Sequence, residues 1–542
     1  MKRRPWPIFV GWLLFSGLSF GRAGAAPPEA IIRDLATPKK QREALERIRD
    51  LADPAFRGVL QALQDGALYR WRGRFLILDE TGTSRDLGGR PLLDASGQPI
   101  LPEKGLEQVP LEEVNLPLLQ QALDLLNLFA EDPETRRSAA RKLGNLQEAR
   151  VGPLLERALK QERDPQVEQV MTETLNLLRL LDPDPQKRLR AVAFFGKTRS
   201  EAALGPLKAL LEREQDAQVQ DALKHAVGSI ERYLKLRNAV GYLFNGLSLT
   251  SILLIMSLGL TITFGLMGII NMAHGEMLMV GSYTAYVLQE LFASYLPRYQ
   301  DASFLLALPL SFLMGGGVGM VLERGILRFL YGRPLESLLV TWGIGMVLQQ
   351  GARLYFGDQT SVSPPSWFRG GFEVMPGLIF PSSRIFIILL SILCLLAVSL
   401  LLYRSDTGLK IRSAMQNRAM AACMGVSTPR VDALTFALGT GLAGLAGCAL
   451  SLIGTVDPEV GKTYIVDSFM VVVLGGVGKL LGTVLASFGI GMANKLLEPA
   501  IGGTAAAIYA KVGILALVIL FLQLKPAGLF PTKERVGEVM VR

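Results

Sequence analysis

Histidine and cysteine are nearly absent from this chain. Two histidines, His225 and His274, stand in 542 residues, so a multi-histidine metal centre is excluded. The three cysteines, Cys394, Cys423 and Cys448, all fall in the second half, in no paired ligand spacing. The first half therefore has no disulfide framework available, and no metal site is expected anywhere. Charge is missing from long stretches. No Asp, Glu, Lys or Arg occurs from Asn238 to Gly275, a run longer than the about 20 apolar residues a bilayer crossing needs. A first glycine is also missing from the two stretches that look like nucleotide-binding loops, Val456–Thr463 and Val473–Leu480. Neither follows a strand of a βαβ unit, so the chain itself is not expected to bind ATP or to be an enzyme.

What is present divides the chain in two. Half the residues are hydrophobic and the mean hydropathy is +0.32, but residues 27–237 are rich in charge and 238–530 consist of apolar segments joined by short polar loops. The formal net charge of +9 fits Lys and Arg gathered in cytoplasmic loops better than a nucleic-acid surface, since no basic stripe is interleaved with aromatics. Lys2, Arg3 and Arg4, then the apolar run Trp6–Phe20 and the small residues Ala23–Ala26, read as a secretory signal peptide over 1–26. Residues 27–237 should then lie outside the cytoplasm.

Within 27–237 the apolar spacing is helical. Asp132, Asp164, Asp184 and Asp216 mark helix starts. Their spacing makes a repeat, in which Asp132 and Asp164 recur as Asp184 and Asp216. In the same register Gly144 corresponds to Gly196 and Val167 to Val219. This is a stack of paired helices, and it resembles HEAT-type repeats. Residues 68–101 alternate and carry turn residues, so a β-hairpin insertion is expected there.

The fold class is thus all-α: a polytopic transmembrane bundle of eight or nine segments behind a secreted helical-repeat domain. Segments fall near 242–266, 268–290, 303–322, 337–356, 385–403, 431–453, 465–478, 480–497 and 506–524. The seventh is short and ends in Gly475-Gly476-Val477-Gly478, which reads as broken or re-entrant. Loops 323–336 and 404–430 and the tail 531–542 carry excess positive charge and should be cytoplasmic.

One place interrupts the apolar pattern with polar groups. Asn271, His274 and Glu276 arrive close together, then the chain turns apolar again. Such groups must face a bundle interior or cavity, or satisfy backbone freed at a helix break. A second feature is the basic loop Gly408–Val426, read as one short surface helix stopped by Gly425. By itself it is a positive-inside anchor. Gly439, Gly441, Gly444 and Gly447 let helices approach closely and are read as packing positions.

The loop, with Gly408-Leu409, Arg412, Gln416-Asn417, Ala421 and Gly425, resembles the coupling loop of ABC importer permeases of the branched-chain amino-acid permease family. The block Gly268–Glu276 resembles that family's first block, and Asp432–Gly447 and Val471–Gly482 its later ones. Met272 and the secreted extension make the chain most similar to the urea ABC transporter permease branch. The resemblance implies import by alternating access, with urea as solute and a branched-chain amino acid or short amide as the alternative. An ATP-independent channel is the alternative from another class. It implies ATPase coupling through Arg412, Gln416, Asn417, Ala421, Ala422 and Gly425. The donors and acceptors of Asn271, His274 and Glu276 suit a substrate pathway for such a solute, the alternative being that they satisfy backbone at the break. The implied partners are a second homologous permease, two cytoplasmic ATP-binding subunits, a periplasmic substrate-binding protein and membrane lipid. No cofactor and no nucleic acid are implied.

Overall fold

The computed structural model describes residues 29–79, 83–92, 105–146, 151–268, 271–331 and 333–530. The expected signal peptide over 1–26 and the expected cytoplasmic tail 531–542 lie outside the described residues. Contacts divide the chain into two compact units, Met1–Leu234 and Lys235–Arg542.

The first unit begins with α1 (Glu29–Leu35), α2 (Pro38–Leu51) and α3 (Arg57–Gln64). Four short strands follow: β1 (Leu68–Trp71), β2 (Arg74–Leu78), β3 (Ser84–Arg85) and β4 (Leu106–Gln108), in the order β3-β2-β1-β4. The expected hairpin over 68–101 is thus one part of a four-stranded antiparallel sheet. Its last strand lies beyond 101 and pairs Tyr69 with Gln108. The run Leu-Glu-Gln carries too little alternation to announce a strand; pairing to β1 makes it one. The Arg72-Gly73 turn has positive φ at both positions, +49° and +81°, as the right-handed twist of a two-residue hairpin requires. Leu68 and Ile77 bury into a core with Leu45, Leu60 and Leu119, the last from α4 (Leu116–Leu126).

The rest of this unit comprises α5 (Pro133–Leu146), α6 (Gly152–Gln161), α7 (Pro165–Arg179), α8 (Pro185–Thr198), α9 (Leu204–Arg213) and the start of α10 (Ala217–Met267). The four aspartates read as helix starts each accept backbone N–H bonds, Asp164 from Gln166 and Val167, Asp216 from Gln218 and Val219. Each period holds three helices rather than a pair. Each repeat closes its own core, one around Leu143, Leu155 and Met171, the next around Val192, Phe195 and Leu207. The same ion pair locks both. Arg136 donates from Nε and Nη2 to Glu162 at 2.7 and 2.8 Å. Its counterpart in the next repeat, Arg188, donates in the same way to Glu214 at 2.8 and 2.8 Å. Each arginine also donates to two carbonyls before its helix, Ala130 and Glu131 or Asp182 and Pro183.

Hydrogen bonds from Arg136 hold the Glu162 carboxyl at a pKa of about 2, well below its ordinary 4.5. A depressed carboxylate stabilises the fold above the unfolded pKa and loses that contribution as pH falls. Protection of the α5–α7 amides from hydrogen exchange should therefore drop between about pH 4.5 and 2. Arg136→Ala removes the charged partner of Glu162, whose carboxylate keeps only the Arg163 and Asp164 N–H groups, and should cost about 2 kcal/mol at neutral pH, measured by the same exchange. Unchanged protection in the variant would remove the pair as a lock.

The second unit is a helical bundle. After α10 come α11 (His274–Tyr295), α12 (Ser303–Gly325), α13 (Pro334–Phe356), a hairpin of β5 (Gly371–Met375) and β6 (Leu378–Pro381), and α14 (Ser382–Arg404). Two short helices, α15 (Asp406–Gln416) and α16 (Arg418–Cys423), lead to α17 (Thr428–Leu450), α18 (Val460–Gly475), α19 (Leu480–Ile501) and α20 (Ala506–Leu524). Among the described residues six helices are long and apolar enough to cross a membrane, those holding 217–265, 297–325, 382–404, 428–450, 480–501 and 506–524. This is fewer than the eight or nine segments expected. α11 and α13 have the length but carry polar and charged residues, among them His274, Glu276, Gln349 and Arg353. α18, at 16 residues, spans about 24 Å, short of a hydrocarbon core of about 30 Å. It ends at Gly475. Gly476 and Gly478 have positive φ, and α19 folds back with Gly482 against Gly475.

α10 and α17 form the interior. Their apolar windows are 83% and 78% buried, against 17% for α20.

Candidate functional site

The interruption after α10 is built by backbone. Gly268, at φ +63°, closes the helix with its N–H on the Phe264 carbonyl. α11 then starts at His274, with Ala273 at its N-cap and no side-chain cap. Asn271, His274 and Glu276 are all buried.

Their side chains are little occupied with backbone. The amide nitrogen and oxygen of Asn271 have no hydrogen-bond partner among the described residues. His274 Nε2 lies 3.2 Å from the Met256 carbonyl of α10, and a carbonyl only accepts, so Nε2 carries the hydrogen. Nδ1 is left as an acceptor without a partner among the described residues. Glu276 Oε1 accepts from Gln349 Nε2 at 2.6 Å, and Oε2 has no such partner. The wall facing the break is one stripe of α13. Thr341 accepts the Met272 N–H at 3.1 Å, Gly345 gives Glu276 room, and Gln349 holds it. Ser337, Thr341, Gly345 and Gln349 follow in steps of four, which puts them on one helix face. The sequence reading missed this face: Ser337, Thr341 and Gln349 share one side of the helix, but only the fold shows what that side meets. On another side Gly275 abuts the Gly461 carbonyl of α18.

Among the described residues of this unit four carboxylates are buried, Glu276, Glu323, Asp432 and Asp467, and no Lys or Arg. The break therefore offers hydrogen-bonding groups without a buried cation beside them.

The basic loop is two helices where one was expected. Ser405 accepts from the Gly408 N–H to cap α15, and Asn417 accepts from the Met420 N–H at 2.9 Å to cap α16. Asn417 is therefore a break: its side chain competes with the continuing helix and starts a new one. Gly408 presses on the Leu401 carbonyl of α14. The Arg412 guanidinium lies 5.2 Å from the centre of the Tyr403 ring. Ala421 is buried, and Arg412, Gln416, Asn417, Ala422 and Gly425 are exposed. Leu409, Met420 and Met424 add exposed apolar surface to the same two helices.

The four packing glycines point α17 at three neighbours. Gly439 meets Gly259 and Thr263 of α10, Gly441 meets Phe312 of α12, Gly444 meets Ser311 of α12, and Gly447 meets Leu278 of α11. Gly281 of α11 lies against the Gly444 carbonyl.

Residues 242–522 match the family described as branched-chain amino acid transport system / permease component. The high-affinity branched-chain amino acid transport system permease protein BraD of Pseudomonas aeruginosa is 29% identical over 54% of this chain and 97% of its own length. The corresponding LivH protein of Salmonella typhimurium is 30% identical over 54% of this chain and 96% of its own. The ribose import permease RbsC of Escherichia coli is 24% identical over 48% of this chain and 78% of its own. No solved structure matches. The match spans half of this chain and nearly the whole length of the first two relatives, so the chain is a multi-pass inner-membrane protein that belongs to the branched-chain amino-acid transport permease family of ABC importers.

Proposed function

We propose that this chain forms half of an import path for a small hydrogen-bonding solute, driven by partner ATPases. The observation that carries this is the helix break. It is enclosed by α10, α13 and α18 and leaves polar atoms of Asn271, His274 and Glu276 uncommitted among the described residues. A buried polar group without a partner is costly unless something else satisfies it, and a passing solute would. The exposed face of α15 and α16 is the surface for a cytoplasmic ATP-binding subunit. The other partners are a second permease, a second ATP-binding subunit and a periplasmic solute-binding protein. In this reading the first unit lies on the periplasmic side and the α15–α16 loop on the cytoplasmic side.

The relatives support a branched-chain amino acid as solute better than urea, since BraD and LivH carry that solute in their names. Urea is the second reading, favoured by one observation. An amino-acid carboxylate wants a cation, and the buried charges of this unit are carboxylates, whereas urea asks only for donors and acceptors. A ribose permease also matches, so this scaffold serves more than one solute. Uptake of labelled leucine and labelled urea, with the ATPase partner active or inactivated, separates the readings. Loss of ATP-dependent leucine uptake on deleting this chain supports the first, loss of urea uptake alone the second. Uptake that needs the chain but not the ATPase would make it a channel.

Asn271→Leu tests the break itself. The side chain gives up no hydrogen bond to the described residues, so insertion and yield should stay at the parental level. Uptake at limiting solute should fall about ten-fold, the equivalent of one lost hydrogen bond of roughly 1.4 kcal/mol. Parental uptake would take Asn271 off the path.

A further inference from the structure

The two helices of the basic loop are tied down differently. α15 is pressed onto α14 at Gly408 and through Arg412 and Tyr403. α16 is tied to α17. Arg418, its first residue, pairs with Asp432, whose carboxylate is buried, and its guanidinium lies 4.5 Å from the centre of the Tyr331 ring. The Tyr331 hydroxyl donates to Glu323 Oε1 at 2.5 Å, and Glu323 is buried at the end of α12. One arginine thus joins α16, α17, the segment before α13 and the end of α12. The Asp432 carboxylate lacks a partner at Oδ1 among the described residues, so Arg418 is its one charged hold there.

α17 carries that tie inward. Its Gly444 and Gly447 touch α11 backbone to backbone at Gly281 and Leu278, within two turns of Glu276. Contacts this close leave no slack: α11 cannot stay still while α17 shifts along it.

We infer that the Arg418–Asp432 pair, clamped by Tyr331 and Glu323, is the link by which movement of the α15–α16 segment reaches α17 and then the polar break. Arg418 is a positioning residue, acting through Asp432 on the helix that grips α11. This rests on the importer reading above. A guanidinium suits the place because it pairs in a plane with the carboxylate and stacks on the tyrosine face at once, which a lysine ammonium cannot do.

The test uses the full complex in proteoliposomes, with the solute-binding protein loaded with leucine or urea, whichever the unmodified chain takes up. The readout is the ratio of solute-stimulated to basal ATP hydrolysis, beside uptake. A purely structural role would lower both rates together and leave the ratio alone. Arg418→Lys and Asp432→Asn should each lower the ratio about ten-fold, within the range of ordinary site-to-site coupling. Tyr331→Phe, which removes one hydroxyl, should lower it about three-fold. The double variant Arg418→Lys with Asp432→Asn should lose no more than either single one, as expected when both act through one contact. Should Asp432→Asn fail to insert, Arg418→Lys and Tyr331→Phe decide. An unchanged ratio in those two, with uptake intact in the unmodified complex, overturns the link alone. Failure of the unmodified complex to import either solute in an ATP-dependent way overturns the importer reading and the link with it.

Discussion

A chain carrying Gly447→Leu should vanish from the membrane fraction, with the recovered monodisperse protein down at least about ten-fold. A methyl carbon at this position would lie 1.8 Å from the Leu278 carbonyl oxygen, backbone against backbone, with no flexible side chain to yield. α11 and α17 would have to part along a contact that Gly281 and Gly444 keep equally tight. Overpacking a well-filled interior costs about 1–3 kcal/mol where side chains can adjust, and here none can. Within a membrane the helices gain little from excluding water, so close packing itself holds them together and its loss has nothing to replace it. Gly447→Ala should fall between, because the smaller group makes the same first contact. Fluorescence-detected size exclusion of detergent-extracted protein measures both. Parental yield of the leucine variant would mean that the α11–α17 approach is looser than described.

Gly425→Val should do the reverse: normal insertion, with uptake lost at least about ten-fold. Gly425 has φ +84° and is exposed, with nothing near the place a side chain would take. The obstacle is the backbone. Its N–H bonds to the Ala422 carbonyl at 3.0 Å and the next N–H, from Val426, reaches back to Ala421 at 3.1 Å. That reciprocal pair ends α16 in a left-handed glycine. A β-branched residue there costs about 1–2 kcal/mol or more, enough to unwind a helix this short. Met420 and Met424 would then lose their fixed presentation on the surface assigned to the ATP-binding subunit. Copurification with that subunit and ATP-dependent uptake report the loss together. Full uptake in the valine variant would place the docking surface elsewhere. Gly425→Ala, with less strain, should keep part of both.

These two glycines differ in how far they can be read without the fold. That glycines 439 to 447 serve packing is legible from small residues on one apolar helix. Which helix each one meets is not, since α10, α11 and α12 all come near α17 and only the assembled bundle assigns them. The break at Asn271–Glu276 is legible too, because polar groups in an apolar run have few places to go. Its partners stand far along the chain on α13, where Thr341 and Gln349 look like ordinary polar residues until the helix is turned to face α11. Arg418 and Asp432 read separately as a loop charge and a span start; the reversal between α16 and α17 makes them a pair.

Local and compositional features were written in the chain alone. They include the division into a charged and an apolar half, the repeat of aspartate caps, the helical membrane bundle, the place of the polar break and the glycine that stops α16. These follow from periodicity, capping and the cost of moving charge into lipid, each of which acts within a few turns of chain. Folding in three dimensions settled the fourth strand at 106–108, the three-helix content of each repeat, the α13 face beside Glu276 and the tie from Arg418 to Asp432. All of these depend on contacts or competitions between segments. Their energies come from which distant surfaces meet, a quantity that no window along the chain contains.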